Sequence, residues 1–387
     1  MSERFIPYGR QRIDEADVAA VVEVLHSDWL TTGPLVPRFE SEFAACVGAA
    51  HAVAVSNGTA ALHLCILAAG IGPGEEVIVP ALTFAASANC ARYAGADVVF
   101  ADVLENTMTV DPAHVASLIT PRTRAIVAVD YAGLPADLDP LLELCRKHNL
   151  LLIEDACHAP GAQYRNRSVG AIAHLSAFSF HPVKHMTTGE GGMVTTQDAE
   201  LAKRLQRLRN HGISTDHRQR EQLGTWAYDM VDLGFNYRLN DIQCALGISQ
   251  LHKLSASLAR RRQLAARYEH LLADLPVRLQ GQPDDRLNAW HLYPVRVTGQ
   301  PTAELRARVF AFMRARGIGV NVHYLPVYLH SYYQRLGYRA GLCPVAERVY
   351  DGLLSLPMWY GLSDEDQDRT VAVLRAALQQ CGAEAGK

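Results

Sequence analysis

The chain has 387 residues, 49% of them hydrophobic and 20% charged, with a formal net charge of −3. That length allows two domains around a large core, and the near-neutral balance excludes the basic footprint of a nucleic-acid or membrane-surface binder. Eight cysteines lie mostly in apolar segments without a CxxC pair, which argues against a zinc cluster or disulfide framework and for a reducing, cytoplasmic setting.

The opening Met1-Ser2-Glu3-Arg4-Phe5-Ile6-Pro7 has no apolar run of signal-peptide type, and no segment is long enough to span a bilayer. Residues 14–27 read as a helix, with Asp14 as N-cap and Val18, Val21, Val22 and Leu25 at helical spacing. The loop Trp29-Leu30-Thr31-Thr32-Gly33-Pro34 follows, then a second helix over 36–46. His51 to Val55 reads as a strand running into Ser56-Asn57-Gly58-Thr59-Ala60, a turn that opens an apolar helix ending at Gly70. Such a helix start offers free N–H groups and a positive dipole end to a phosphate. Gly58 permits close backbone approach and Thr59 adds a hydroxyl; an ordinary capped turn is the plainer reading.

Val77 to Val79, Val98 to Phe100, Ala125 to Val129 and Leu150 to Ile153 are short apolar runs, alternating with helical patterns at 84–94 and 137–148. The alternation predicts a mostly parallel sheet with helices on both faces, whose ligands sit beyond the carboxyl ends of the strands. Asp130 and Asp155 each follow such a run. One more strand, Ala177 to Phe180, leads into His181-Pro182-Val183-Lys184-His185-Met186-Thr187-Thr188-Gly189-Glu190-Gly191-Gly192. Lys184 sits between apolar and glycine-rich segments with few other charges. A lysine stripped of water there becomes a usable nucleophile and base. A lysine for a Schiff base and an anion for a pyridinium nitrogen are what a pyridoxal 5'-phosphate (PLP) enzyme needs. Asp155 has a stronger case than Asp130, because Lys184 lies one strand downstream of it.

Residues 198–210 read as a charged helix, and 211–230 as a polar, irregular loop that is mobile or contacts a partner. Asn240 or Asp241 would cap a long helix running to 272, with Arg260-Arg261-Arg262 on its solvated face. The domain boundary is set in that helix, giving a large PLP-binding domain with an N-terminal arm (1–250) and a small C-terminal domain (251–387). Within the latter, Trp290 to Val297 and Val320 to Tyr324 read as strands, and 302–316 and 363–380 as helices.

Phe178 to Lys184 with Thr188 to Gly192, Asn57 to Leu62, and Asn236 to Gln243 resemble the sugar aminotransferases of the DegT/DnrJ/EryC1/StrS family, and the resemblance covers nearly the whole chain. It implies an α/β architecture, the fold type I PLP-dependent transferase (aspartate aminotransferase-like), with a mostly parallel sheet in the large domain and a smaller α/β C-terminal domain. It implies Lys184 as the Schiff-base lysine, Asp155 at the pyridinium nitrogen, His158 beside the ring and Phe84 on its other face. Gly58, Thr59 and Ser179 would hold the phosphate. Asn236 would reach the phosphate of a neighbouring subunit, making the active unit a homodimer with shared sites. Tyr8, Asp28, Trp29, Leu30, Thr31, His181, Arg238 and Tyr324 would line a nucleotide-sugar site, and no metal is involved. Some members of the family are dehydratases with histidine in place of the lysine; the register from Ser179 puts lysine at 184 and histidine at 185, on the aminotransferase side. His185 itself reads as a surface or interface histidine, and Glu190 as a structural acceptor in the glycine turn.

Tyr8 with Asp28 to Gly33, Val129 to Gly133 and Val322 to Tyr328 resemble the branch that passes an amino group from L-glutamate to C4 of a UDP-linked 4-keto-6-deoxy-N-acetylhexosamine, in pseudaminic acid synthesis. Amination at C3 or C4 of a GDP- or dTDP-linked keto-deoxysugar is the enzymatic alternative. A PLP-fold regulator without catalysis is the other, against which stand the intact lysine motif and the lack of a basic patch.

Overall fold

A computed structural model describes residues 4–215, 217–222, 224–299 and 302–384. The first three residues of the opening segment, positions 216 and 223 of the 211–230 loop and the last three residues of the chain lie outside the described part.

Seven strands form the main sheet: β1 (His51–Val55), β2 (Glu76–Pro80), β3 (Asp97–Ala101), β4 (Thr123–Val129), β5 (Leu151–Asp155) and, beyond the small hairpin β6 (Gln163–Tyr164) and β7 (Arg167–Ser168), β8 (Leu175–Ser179) and β9 (Gly192–Thr196). Their order is β1-β9-β8-β5-β4-β2-β3. Neighbours from β8 to β3 pair in parallel, while β9 runs antiparallel to both β8 and β1. The strands are largely apolar because both faces are covered. Along β4, Ala125, Val127 and Val129 join one apolar cluster and Ile126 and Ala128 another, as the two-residue period of a strand requires. Parallel strands put their carboxyl ends on one edge, so the segments after β1, β2, β4, β5 and β8 converge there.

The helices are α1 (Glu15–Leu25), α2 (Leu35–Val47), α3 (Gly58–Ala68), α4 (Ala86–Tyr93), α5 (Pro112–Leu118), α6 (Leu138–His148), α7 (Ala199–Leu208), α8 (His217–Gln222), α9 (Asp241–His252), α10 (Leu254–Leu272), α11 (Thr302–Ala315), α12 (Ser331–Arg335), α13 (Pro344–Gly352) and α14 (Asp364–Glu384). Asp14 caps α1 through a capping box with Asp17. A second sheet, β10 (Val277–Leu279), β12 (Tyr293–Val297) and β13 (Leu353–Leu356), is antiparallel, while β11 (Arg286–Leu287) pairs with β6. Residues of α10, α11, α14 and this second sheet share their own apolar cluster, which also takes in Ile6.

Four expectations need correction. The helix expected to run unbroken to 272 is two helices that meet at Lys253, whose amine is held by Asp14 at 2.8 Å and Asp17 at 2.6 Å. Arg261 does not lie on a solvated face: it is 2% exposed, because its guanidinium feeds the carbonyls of Trp290, His291 and Met358 at 2.9, 3.2 and 3.1 Å. The strand expected from Trp290 starts at Tyr293, since Trp290 takes a φ of +55°. Val320 to Tyr324 is not a strand; a single bridge, Asn321 to Ser355, ties it to β13. Of the two proposed caps, Asn240 caps α9, in a box with Gln243, while the Asp241 carboxylate accepts from Gly33 and Leu35 at 2.7 and 3.0 Å. Among the described residues no helix is long and apolar enough to cross a membrane.

Candidate active site

A cavity of about 830 Å³ opens at the carboxyl edge of the main sheet. β5 delivers Asp155 to it as its last residue. The Ser87 hydroxyl donates to Asp155 Oδ2 at 2.5 Å and the Cys157 amide to Oδ1 at 3.2 Å; Ser87 in turn lies 2.7 Å from Thr83. Donors on both oxygens fix the orientation of the carboxyl group. Ser87 was not singled out in the sequence, where nothing but its position in an apolar helix marked it. Asp130, the competing carboxylate, does not line this cavity. It is fully buried and accepts from the Ala136 amide at 3.0 Å. Burial, and then the neighbouring Glu154, push its carboxyl well above the usual range.

Lys184 comes from the connection between β8 and β9 and lines the cavity. A turn bond from its amide to the His181 carbonyl, 2.9 Å, fixes its backbone. Loss of water around the amine lowers its pKa from the ordinary lysine value, against the pull of Cys157 and Asp155 and with help from the Arg261 guanidinium. A lysine so placed has more free amine near neutral pH.

The start of α3 forms the opposite wall. Asn57 caps it by accepting from the Ala60 amide at 2.8 Å, which leaves the first N–H groups, at Gly58 and Thr59, for a ligand. A side chain at 58 would put its Cβ 2.9 Å from Ser179 Cβ and 3.2 Å from Cys157 Sγ, so only glycine lets helix and strand end come this close. His158 is buried, with Nε2 3.2 Å from the Tyr324 hydroxyl and its ring 4.4 Å from that of His291. Phe84, exposed at the rim, has its ring 5.9 Å from Tyr324. Tyr8 and His181 also line the cavity. A half-buried, water-poor lysine, a carboxylate with two donors, a helix N-terminus with its glycine and hydroxyls at Thr59 and Ser179 make a donor set that fits PLP.

Other expected residues lie elsewhere in this single chain. Asp28, Trp29, Leu30 and Thr31 are exposed in the loop after α1 and do not line the cavity. Asn236 is exposed and bridges Asn210, and Arg238 donates to Asn210 Oδ1 at 2.6 Å. His185 is buried, contrary to the surface reading, with Nε2 2.9 Å from the Ala289 carbonyl. Glu190 takes part through its backbone: its carbonyl, not its carboxylate, accepts from Thr188 at 2.7 Å and Gln243 at 2.6 Å. The sequence reading missed His291, which lines the cavity beside Lys184; its place more than a hundred residues from Lys184 left no local signal.

The sequence matches the DegT/DnrJ/EryC1/StrS aminotransferase family over residues 11–375. It is 40% identical over 375 residues to the spore coat polysaccharide biosynthesis protein SpsC of Bacillus subtilis, covering 96% of each chain. The fold matches Helicobacter pylori PseC, an aminotransferase involved in the biosynthesis of pseudoaminic acid, with TM-score 0.90 and 32% identity over 97% of this chain and 100% of that one. It also matches Spr1654 of Streptococcus pneumoniae in its PLP form, with TM-score 0.91 and 30% identity over 97% of this chain and 99% of that one. The PMP form of the same protein gives TM-score 0.92 and 31% identity, over 97% and 100%. The chain therefore belongs to the DegT/DnrJ/EryC1/StrS aminotransferase family and is a PLP-dependent sugar aminotransferase of fold type I.

Proposed function

We propose that this cavity moves an amino group from L-glutamate to C4 of a UDP-linked 4-keto-6-deoxy-N-acetylhexosamine. The observation that carries the reading is the meeting of Lys184 and Asp155 in one cavity, opposite the Gly58–Thr59 helix start. PLP, when bound, supplies an electron sink for the carbon next to nitrogen. Lys184 is the amine that carries it and, once released, moves the proton at Nζ in both halves of the cycle. Asp155 keeps the ring nitrogen protonated, with Ser87 and the Cys157 amide holding the carboxylate in place. Gly58, Thr59 and Ser179 hold the phosphate, and His158 and Phe84 border the ring. Tyr8, His181 and Tyr324 line the sugar side, with Asp28 to Thr31 and Arg238 completing it. Asn236 reaches the phosphate site of a second copy, so the unit is a homodimer, working in the cytoplasm. Residues 1–250 form the PLP-binding domain and 251–387 the small domain.

The pseudaminic branch is supported by the likeness to PseC. The 40% identity to SpsC favours a second reading, amination of another nucleotide-linked keto-deoxysugar on the way to a surface polysaccharide. The test is the colour of the yellow holoenzyme in single turnover with UDP-4-amino-4,6-dideoxy-N-acetyl-β-L-altrosamine and no glutamate. Transamination is reversible, so the true product bleaches it. A colour unchanged by that sugar but bleached by glutamate keeps the aminotransferase and replaces the sugar.

A further inference from the structure

His291 is buried, lines the cavity, and has Nε2 3.4 Å from Lys184 Nζ. Among the described residues it is the one hydrogen-bonding partner of that amine. Its Nδ1 is buried with no partner among the described residues. The placement is built: Arg261, itself buried, grips the carbonyls of Trp290 and His291, and the Trp290 amide is held by Asn288 Oδ1 at 2.6 Å.

We propose that His291 is a positioning residue for Lys184: its Nε2 accepts a hydrogen bond from the free amine and holds Nζ at the cavity wall whenever the lysine is not bonded to the cofactor. The inference rests on the reading of Lys184 as the cofactor-carrying lysine. An acceptor suits both states of the amine, since the ammonium has only N–H donors and the neutral amine still has two. A carboxylate at this place would also hold the amine, but as an ion pair, which favours the charged and unreactive form. An imidazole holds it without adding negative charge, provided the imidazole stays neutral. The surroundings keep it so: burial first, then Lys184, His158, His185 and Arg261, all disfavour a proton on His291. The other groups facing the amine are His323, Cys157 and Asp155.

The test compares His291→Phe, which keeps a ring without an acceptor, with His291→Gln, which keeps an acceptor. The full-length, cofactor-free protein is labelled with trace acetic anhydride across pH, and Lys184 acetylation is read by peptide mass. The expected result is a midpoint about one pH unit lower in His291→Phe, because the ammonium has lost its acceptor, with His291→Gln close to the parent. In the holoenzyme, the single-turnover rate with glutamate falls about tenfold in His291→Phe with donor affinity unchanged, and His291→Gln restores it. An unchanged midpoint in a normally melting His291→Phe overturns the proposal, as does an equal loss of rate in both variants. If the Phe variant melts early, His291→Leu serves as the acceptor-free replacement with the same two outcomes. Borohydride reduction of the holoenzyme separates the two levels. A cofactor label on a lysine other than Lys184 sinks the reading of the lysine; a label on Lys184 with an unmoved midpoint sinks the role of His291 alone.

Discussion

At the residue scale the chemistry rests on the contrast between two carboxylates one strand apart. Asp155 has a donor on each oxygen, while burial and the neighbouring Glu154 push the Asp130 carboxyl well above its usual range. Replacing Asp155 by Asn removes a preorganised charge. The glutamate half-reaction should then slow by about a hundredfold to a thousandfold, with an unchanged melting curve; unaltered glutamate kinetics would remove Asp155 from the mechanism. Lys184→Ala should leave a folded protein without transamination, and normal turnover in that variant would refute the assignment. Both residues were legible in the sequence because each sits where a βα architecture puts its ligands. Ser87 and His291 were not, because a serine in an apolar helix and a histidine before a strand become functional only through contacts across 68 and 107 residues.

At the element scale, the parallel core was legible from short apolar runs alternating with helical patterns, whereas β9 was not singled out in the sequence. Local signals failed where tertiary contacts prevail. α9 and α10 look like one helix, yet the salt bridges from Asp14 and Asp17 to Lys253 come from α1, far away in the chain. The close packing of α3 on β8 gives a test. Gly58→Ala forces Cβ against Ser179 and Cys157. The helix start must back away, and PLP affinity should drop about tenfold, as read by absorbance titration; wild-type affinity would show that the contact has slack. Removing the α9 cap with Asn240→Ala should lower stability by about 1 kcal/mol in chemical denaturation, without touching the cavity.

At the scale of the whole molecule, histidine burial sets the response to acid. His158, His185 and His291 are held well below the ordinary imidazole range by burial, and burial lowers His323 to about 4. Below about pH 6.5 the unfolded chain takes up protons that the folded protein refuses. Stability therefore falls as pH falls, by about 1.4 kcal/mol per pH unit for each such histidine until its folded value is reached. Cofactor-free protein should unfold in acid above pH 4, and His185→Gln should move that midpoint down; a flat melting temperature from pH 7 to pH 4 would contradict the burial. The proposed dimer has its own check. Trp226 and Leu233 are 89% and 80% exposed on the segment leading to Asn236, a surface that a second copy would cover. Lys184→Ala and Asn236→Ala, each inactive alone, should regain part of the activity when combined in verified heterodimers.

The antiparallel strand β9 bears on how the site is assembled. Because β9 returns beside β8, with Ser179 opposite Gly192, the lysine rides on a closed ring of chain whose two ends are stapled together by the ladder. Asp155, Gly58 and Thr59 arrive on other strands and helices and depend on the whole sheet being in place. The Lys184 ring closes locally, and the entropy cost of closing such a ring grows only by about 0.6 kcal/mol for each doubling of its length. The reactive amine is thus carried by the part of the site that is topologically simplest. Insertions or deletions between residues 180 and 191 could reshape the ring without shifting the register of any parallel strand.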